Sequence, residues 1–267
     1  MDLITRMQEE RAGKVRSIYY VTQIEMSYNS NKIEGSRLSQ EQTEQLFETK
    51  QFLPKADELI KLDDVVEAVN HFRAFDSILD TVEEPLTFDY LKELHKILKR
   101  FTSDEDSPAR PVGEFKKYQN VISSATQEVE TTKPSEVEFE LGNLLRDYEK
   151  NSEDYILTLE EIVDFHVQFE KIHPFADGNG RIGRLLMFKE CLRNNVMPFI
   201  LNNDYRQYYY QGLNDYRKGE KERLLDVFGA SQDNYQAFLE KMEFAGELNR
   251  HLRETSYERD MYRGKSL

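Results

Sequence analysis

The sequence predicts a mainly α-helical protein, and three observations carry this prediction. The 267 residues contain only 12 glycines and 7 prolines, the residues that most often interrupt regular structure. Between these residues, apolar side chains recur at intervals of three or four, which is the period of an amphipathic helix. No internal repeat and no low-complexity linker divides the chain. We therefore expect one helical core with terminal additions: an N-terminal helical region over residues 1–60, the core over 61–230 and a C-terminal helical extension over 231–267.

The first helices are predicted from their ends and their apolar faces. The stretch from Val15 can form a helix that ends at Gly35, because glycine accepts the left-handed conformation that closes a helix. Ser39, with a glutamine three residues later, forms a capping box that begins the next helix. Two core helices follow over residues 63–79 and 87–99, each with apolar side chains on one face.

Residues 113–131 lack the helical period. Val121 and Ile122, followed by residues 127–131, indicate two short strands around a turn at 123–126. The turn lacks the Asn-Gly or Asp-Gly pair that marks most tight hairpins. We predict a β-hairpin in this segment on the strand pattern alone.

The later helices are predicted in the same way. Ser135 and Thr158 each precede a glutamate by three residues, and these two capping boxes begin helices, the second of which runs to Ile172. Beyond Pro198, the apolar spacing predicts three more helices, over residues 204–218, 220–229 and 233–254.

Charge and composition exclude several classes of function. The chain has 36 Lys and Arg against 50 Asp and Glu, a formal net charge of −14, and such an acidic surface repels phosphate backbones. We therefore expect no nucleic-acid partner, and an anionic ligand would need a local cluster of cations. The single cysteine, Cys191, excludes an internal disulfide. The N-terminus lacks the pattern of a signal peptide and no apolar stretch is long enough to span a membrane, so we expect a cytoplasmic protein without a membrane partner.

The segment from His173 to Arg184 has the sequence His-Pro-Phe-Ala-Asp-Gly-Asn-Gly-Arg-Ile-Gly-Arg. Its Gly178-Asn179-Gly180 stretch permits unusual backbone conformations and begins a helix whose free N–H groups and positive dipole end favour an anion. Arg181 and Arg184 are three residues apart, so both guanidinium groups can lean toward the same site. The segment therefore predicts a polyphosphate site.

Two further residues add chemistry to this site. Asp177 offers a carboxylate oxygen, and Mg²⁺ commonly takes one or two carboxylates together with water and substrate phosphates. His173 is the residue best suited to take a hydroxyl proton at neutral pH. Each feature alone has a plainer explanation as a turn or a helix cap, but their occurrence in one short stretch favours a functional site. His95 and His166 lie on apolar faces, and we expect both to be packed core histidines.

The same segment resembles the signature of the Fic family, His-x-Phe-x-Asp/Glu-Gly-Asn-Gly-Arg-x-x-Arg, and all eight specified positions match. The resemblance implies a Fic-type helical bundle with one β-hairpin flap, and an enzyme that transfers AMP from ATP to a Ser, Thr or Tyr hydroxyl of a target protein. It implies these roles: His173 as the general base, Asp177 as the Mg²⁺ ligand, Gly178, Asn179 and Gly180 as the phosphate cradle, and Arg181 and Arg184 as phosphate clamps.

The resemblance also implies how the two substrates are held. The flap, over residues 115–130, would bind the target segment by adding it as a strand, a mode that uses backbone groups rather than particular side chains. Tyr209 or Tyr210 would lie beside the base of the nucleotide. The alternative for these two tyrosines, weighted equally, is that they are ordinary core or surface aromatics. The sequence leaves a homo-oligomer open.

A second motif, Ser30-Asn31-Lys32-Ile33-Glu34-Gly35, resembles the inhibitory motif Ser/Thr-x-x-x-Glu-Gly/Asn found in part of the same family. Ser30 and Glu34 are four residues apart and share a helix face. A bidentate pair between Glu34 and Arg184 would deny this arginine to the terminal phosphate of ATP, and the α-phosphate would bind out of line with the attacking hydroxyl. We expect autoinhibition by Glu34; the alternative is that Glu34 is a solvated charge beside a helix cap.

Other activities stay open at this stage. The same site could remove AMP from a modified protein, with Glu34 aligning a water, or transfer another phosphate-linked group such as UMP or phosphocholine. The intact Gly-Asn-Gly-Arg stretch favours AMP transfer over phosphorylation. A catalytically silent nucleotide-binding scaffold belongs to a different class, and the presence of both His173 and Asp177 argues against it.

Overall fold

The computed structural model describes residues 2–13, 16–54, 58–123, 128–154 and 156–263. Within these ranges the chain forms ten α-helices, two short strands and two 3-10 turns, which confirms the mainly α-helical class. Helices α1 to α10 span, in chain order, Leu3–Glu10, Ile18–Ile33, Gln40–Thr49, Leu62–Asp80, Phe88–Lys99, Val137–Asp154, Leu159–Ile172, Asn179–Arg193, Arg206–Tyr216 and Glu222–Arg263. None of the described helices combines the length and the apolar character needed to cross a membrane.

Helix α8 lies at the centre of the hydrophobic core. It contacts α2, α4, α5 and α7, and its side chains from Ile182 to Phe188 are buried. The N-terminal helices share this core, because Met7, Ile18 and Ile33 belong to the same apolar cluster as the side chains of α8. The N-terminal region and the central core therefore pack around one apolar interior, and the last turn of α2 is brought against the N-terminal end of α8.

Several helix ends follow the local signals in the sequence. Ser39 and Thr158 each form a complete capping box at the beginning of α3 and α7. The box predicted at Ser135 is wrong: Ser135 lies inside a 3-10 turn, Pro134–Glu136, and α6 begins at Val137. Pro134 determines this difference, since its fixed φ suits the first position of a helical turn.

The C-terminal helices differ from the prediction in one respect. The sequence predicts a break between residues 229 and 233, but α10 is continuous through this stretch. The Ser231 hydroxyl donates to the Val227 carbonyl at 2.8 Å, so this polar side chain bonds within the helix instead of ending it. Helix α9 is preceded by a 3-10 turn at Asn203–Tyr205.

The strands β1 (Val121–Ser123) and β2 (Glu128–Glu130) pair antiparallel, with Val121 opposite Glu130. The turn is predicted at residues 123–126; Ser123 belongs to β1, and residues 124–126 lie outside the described residues. Side chains at the base of the strands bind the loop that precedes α8: Asn120 Nδ2 donates to the Phe175 carbonyl at 3.1 Å and Lys116 Nζ donates to the Ile172 carbonyl at 3.3 Å. The hairpin is thereby held beside residues 172–175.

Candidate active site

The loop between α7 and α8 has a closed and well-supported backbone. His173 has a φ of 52°, in the left-handed region, and its N–H donates to the Phe169 carbonyl at 2.8 Å to end α7. Gly178 has a φ of 81° and immediately precedes α8; this conformation costs glycine little. The Asn179 side chain closes the loop, since its Oδ1 accepts from the Phe175 N–H at 2.9 Å and its Nδ2 donates to the Phe175 carbonyl at 2.8 Å.

This geometry revises one role implied by the resemblance. Asn179 is buried and both polar atoms of its side chain are used by Phe175. Its side chain therefore braces the loop, and any contribution of Asn179 to a phosphate cradle would come from its backbone N–H.

His95 supports the same loop from α5. Its ring stacks on Phe175 with a centroid distance of 4.0 Å, its Nδ1 accepts from the Gly113 N–H at 2.9 Å, and its Nε2 lies 3.1 Å from the Asp177 carbonyl. Because Nδ1 accepts, Nε2 must carry the proton that is donated to Asp177. Burial lowers the pKa of His95 to about 4, so this imidazole is a neutral structural group, in agreement with the predicted packed histidine.

Asp177 belongs to a ring of four alternating charges. Lys99 Nζ lies 2.6 Å from Asp177 Oδ2 and 2.5 Å from Glu67 Oε1. Arg181 closes the ring, with Nη2 3.2 Å from Asp177 Oδ2 and Nη1 paired with Glu67 Oε2. Asp104 adds a third carboxylate to Lys99 at 2.7 Å. We refer to Glu67, Lys99, Asp177 and Arg181 as the four-charge ring.

The ring fixes the ionisation of Asp177. Burial opposes the charged carboxylate, but the positive charges of Arg181 and Lys99 outweigh it and hold the pKa of Asp177 well below its usual value. The Asp177 side chain is nevertheless 43 % exposed. An exposed, ionised carboxylate fits Mg²⁺ provided that waters and nucleotide phosphates supply the remaining ligands, because no group of three or more His, Cys, Asp and Glu among the described residues could hold a metal alone.

Arg184 is held by the last turn of α2. Its Nη2 donates to Glu34 Oε1 at 2.7 Å and to the Ser30 carbonyl at 3.0 Å, and its Nε donates to Ser30 Oγ at 3.1 Å. The Arg184 side chain is 3 % exposed. The predicted pairing partner is therefore present, but the predicted bidentate geometry is wrong: Glu34 uses one oxygen, because Ser30 supplies two further acceptors to the same guanidinium group.

The same turn also reaches the other arginine. Arg181 Nη1 donates to Asn31 Oδ1 at 3.4 Å. No role for Asn31 was predicted from the sequence, although this residue stands next to Ser30 in the motif. Three residues of one helical turn, Ser30, Asn31 and Glu34, thus contact both arginines, and we refer to them as the α2 plug.

Glycine ends α2 as expected and fixes the position of the plug. Gly35 has a φ of 97°, its N–H donates to the Lys32 carbonyl at 3.0 Å, and the Ser36 N–H donates to the Asn31 carbonyl at 3.0 Å. This pair of bonds is the Schellman arrangement, in which a left-handed residue just beyond the helix satisfies its last carbonyls.

The Glu34 carboxylate lies over the beginning of α8. A Cβ atom placed on Gly180 would collide with Glu34 Oε1 and would lie 3.0 Å from Arg184 Nη1, so only glycine admits the carboxylate here. The first turn of a helix presents unpaired N–H groups and the positive end of the dipole. Glu34 therefore occupies a place suited to an anion, and its side chain is 31 % exposed.

The two tyrosines predicted near a nucleotide base have different surroundings. Tyr209 is 1 % exposed and its hydroxyl lies 2.9 Å from His166 Nε2, so it is a core residue and cannot line an open pocket in this structure. Tyr210 is partly exposed, and the guanidinium of Arg206 lies over its ring at 5.6 Å. Tyr210 is the candidate that remains for contact with a base.

His173 is the last predicted residue of the site, and its imidazole is 18 % exposed. Its Nδ1 lies 3.7 Å from Oε2 of Glu170, a buried residue on the last turn of α7. No role for Glu170, Glu67 or Lys99 was predicted from the sequence. A signal existed for Glu170, which follows His166 by one helical turn on the inward face; none exists for Glu67 and Lys99, which come together only through the packing of α4 on α5.

Fold and site together define the class of protein: an α-helical chain in which an imidazole, a carboxylate and two arginines surround the N-terminus of one buried helix. The sequence pattern of the Fic/DOC family matches residues 85–191, which include all of these groups. This match identifies a Fic domain in residues 85–191.

Curated relatives agree with this assignment. The chain is 28 % identical over 225 residues to "Protein adenylyltransferase Fic" of Nematostella vectensis, an alignment that covers 78 % of this chain and 49 % of that protein. It is 27 % identical over 193 residues to "Protein adenylyltransferase fic-1" of Caenorhabditis elegans, covering 70 % of this chain and 35 % of that protein. The chain thus spans about half or less of the length of these relatives.

Solved structures share the fold. A Fic domain containing signaling protein from Bacteroides thetaiotaomicron superposes with a TM-score of 0.76 at 21 % identity, covering 90 % of this chain and 96 % of that chain. Fic-1 from Caenorhabditis elegans superposes with a TM-score of 0.67 at 21 % identity, covering 92 % and 68 %. The similarity extends over the N-terminal helices as well as the Fic domain, since it covers nine-tenths of this chain.

Proposed function

We propose that this protein is an adenylyltransferase that moves AMP from ATP to a Ser, Thr or Tyr hydroxyl of a target protein, itself included. The observation that carries the proposal is the location of the Glu34 carboxylate between Gly180 and Arg184. This carboxylate marks a place where one phosphate of a nucleotide would fit, at the helix N-terminus that directly follows the loop of His173. The names of the curated relatives support the same activity.

The positions of the side chains support the following reaction. The oxygen of the target hydroxyl attacks the α-phosphorus of ATP, the bond from this phosphorus to the bridging oxygen breaks, and pyrophosphate leaves. The hydroxyl proton passes to the imidazole of His173, which acts as the general base. Arg184, once Glu34 releases it, would stabilise the negative charge that develops on the departing phosphates, and Arg181 would add its positive charge from within the four-charge ring.

Asp177 would hold Mg²⁺ together with the phosphates of the nucleotide. When bound, the ion would supply positive charge next to the departing pyrophosphate. The contribution of the chain is to keep the Asp177 carboxylate ionised and oriented, through the contacts of its Oδ2 with Lys99 and Arg181.

We further propose that the α2 plug inhibits the enzyme. Arg184 cannot bind a terminal phosphate while Glu34 and Ser30 occupy its Nη2 and Nε. ATP that binds under these conditions loses a clamp for its terminal phosphate, so its α-phosphate is displaced from the line of attack, and a displacement of about 1 Å can cost on the order of a hundredfold in rate.

The substrates would approach from two sides of the loop. The paired strands β1 and β2 offer a backbone edge to which a target segment could add as a strand, and the tie between Asn120 and Phe175 holds this edge near His173. Tyr210 would lie beside the base of ATP. The acidic chain, with a net charge of −14, supports a protein target over a nucleic acid, and the single buried cysteine supports a cytoplasmic location.

The proposal is tested with the Glu34→Gly protein, in which the plug lacks its carboxylate. Incubation with ATP and magnesium should add the mass of one or more AMP groups in intact mass spectrometry, and the same protein carrying His173→Ala should gain none while it still binds ATP in calorimetry. Lys171→Ala, a neighbouring change on the surface of α7, serves as the matched control and should label normally. Retained labelling by the His173→Ala protein would remove His173 from the mechanism, and labelling with UTP but not ATP would reassign the transferred group.

A further inference from the structure

The site contains a buried carboxylate that the proposed reaction does not use. Glu170 is buried on the last turn of α7, three residues before His173, and its Oε2 lies 3.7 Å from His173 Nδ1. Neither Glu170 Oε1 nor His173 Nδ1 has a hydrogen-bond partner among the described residues. A buried, unpaired polar atom is costly, and here two such atoms belong to neighbouring side chains.

The backbone places these groups together. The left-handed conformation of His173 turns the chain sharply at the end of α7, so the imidazole folds back over the last turn, where Glu170 lies. Gly183 allows α8 to approach from the other side: a Cβ atom there would lie 2.8 Å from the His166 ring and 3.1 Å from Glu170 Oε1. The carboxylate is thus sealed from solvent by α8.

The charges around Glu170 favour its ionised form. The titratable groups that face it are His166 and His173 on the α7 side, Arg184 from α8, and Arg217 and Tyr209 from the α9 side. Burial opposes ionisation, but the interaction with His173 and the positive fields of its neighbours leave the pKa of Glu170 below its usual value. Burial also lowers the pKa of His166 to about 4, so His166 is neutral at pH 7 and His173 is the imidazole that Glu170 can influence.

We propose that Glu170 is a positioning residue for His173: its carboxylate holds the proton on Nδ1, so that Nε2 has the free electron pair and takes the proton of the target hydroxyl. This inference rests on the proposed function, in which His173 is the general base. The proton balance is simple, because the hydroxyl proton moves to Nε2 while the Nδ1 proton stays on the ring and is hydrogen-bonded by the carboxylate. A buried carboxylate orients a catalytic imidazole in this way in serine hydrolases.

The separation of 3.7 Å exceeds the length of a hydrogen bond. Hydrogen bonds of catalytic groups are often long before substrate binds and shorten in the complex. A small rotation of the His173 ring toward Glu170 would give Nδ1 a partner in Oε2, so the proposal requires no change in the backbone. The competing explanation is a purely structural role for Glu170 as a counter-ion of Arg217. The experiment must distinguish this role from the positioning of His173.

The kinetic test compares Glu170→Gln with the matched control Glu160→Gln, an exposed residue on the same helix that pairs with Lys221, both in the Glu34→Gly protein. Glu170→Gln should lower kcat for AMP transfer by about 100-fold, on the order of the cost of a misplaced catalytic group, with little change in KM for ATP. Glu160→Gln should change neither kcat nor KM. An unchanged kcat for Glu170→Gln would overturn the inference.

A spectroscopic test does not depend on activity. In ¹⁵N spectra of the full chain, the His173 ring, assigned by comparison with His173→Ala, should show the neutral form with hydrogen on Nδ1, and Glu170→Gln should shift it toward the form with hydrogen on Nε2. A ring protonated on Nε2 in the unchanged chain would overturn the inference, even if Glu170→Gln failed to fold. Labelling retained by His173→Ala, in contrast, would refute the proposed base itself, so the two failures are distinguishable.

Discussion

Removal of the Glu34 carboxylate is the most informative single change in this protein. Glu34→Gly eliminates the ion pair with Arg184 at 2.7 Å and clears the space above Gly180. It leaves both contacts between Arg184 and Ser30 in place. Glycine is tolerated at this position because Glu34 is the residue that caps α2 and lies outside the helix interior.

The size of the effect follows from the geometry of the pair. The Arg184 side chain is 3 % exposed and the Glu34 side chain is 31 % exposed, so the burial of this ion pair is intermediate between that of a buried pair and that of a surface pair. Hydrogen bonds between charged groups contribute about 1.5–3 kcal/mol, and every 1.4 kcal/mol corresponds to about tenfold in an equilibrium. If ATP must displace Glu34 to reach Arg184, the state in which Arg184 is free to bind phosphate is less populated by the factor that corresponds to this energy. We therefore expect the rate of AMP transfer at limiting ATP to rise about 10- to 100-fold.

The assay is the time course of self-labelling at several ATP concentrations, followed by intact mass. Glu34→Gln, which keeps the size of the side chain but loses its charge, should also accelerate labelling. Glu25→Gln is the matched control, because Glu25 lies on the same helix and contacts Asn29 and Gln40 rather than Arg184. Equal rates in Glu34→Gly and the unchanged chain would refute inhibition by the plug. If a labelled protein released AMP only when Glu34 is present, this result would favour the reverse reaction, removal of AMP.

Two further predictions concern the four-charge ring. Lys99→Met leaves the carboxylates of Glu67, Asp104 and Asp177 without their shared cation, so urea unfolding should show a loss of about 3–5 kcal/mol; an unchanged midpoint would contradict a buried ion cluster. Because the pKa of Asp177 is lowered from 3.8 in the folded protein, its stabilising contribution is complete above that value and is lost as the pH falls toward the lower folded pKa. The difference in unfolding free energy between the unchanged chain and Asp177→Asn should therefore be largest at neutral pH and shrink below about pH 4. A difference that grows in acid would contradict stabilisation by the ionised Asp177 carboxylate.

Local signals predicted much of the fold, because they depend on residues a few positions apart. The capping boxes at Ser39 and Thr158 and the glycine end of α2 at Gly35 are all present. The failures have the same local origin: Pro134 displaced the beginning of the helix expected at Ser135, and the polar stretch around Ser231 was accommodated within α10. A polar side chain that can bond to the preceding turn does not end a helix that packs well on its neighbours.

The candidate site was predictable to the extent that it is contiguous. His173, Asp177 and the two arginines occur in one segment, whose type of chemistry can be inferred without any fold. Lys99 is 78 residues away from its partner Asp177, and pairs at such a distance are set by helix packing, which no spacing rule encodes. The bidentate pairing of Glu34 was wrong for a related reason, because the backbone carbonyl of Ser30 competes for the same guanidinium group and carries no sequence signal.

The burial of α2 restricts how the enzyme could be switched on. Ile24, Met26 and Ile33 are at most 4 % exposed, and full burial of each such side chain contributes about 1.5–3 kcal/mol, so detaching the whole helix would cost several times the energy of the Glu34 contact. Fraying of the final turn alone would release Ser30, Asn31 and Glu34 together and would expose Ile33, while Ile24 and Met26 stay in place. Under the proposed inhibition, activation by this route would be graded, because a partner, a modification or a rise in temperature would need to loosen only one turn and no second folded conformation is required.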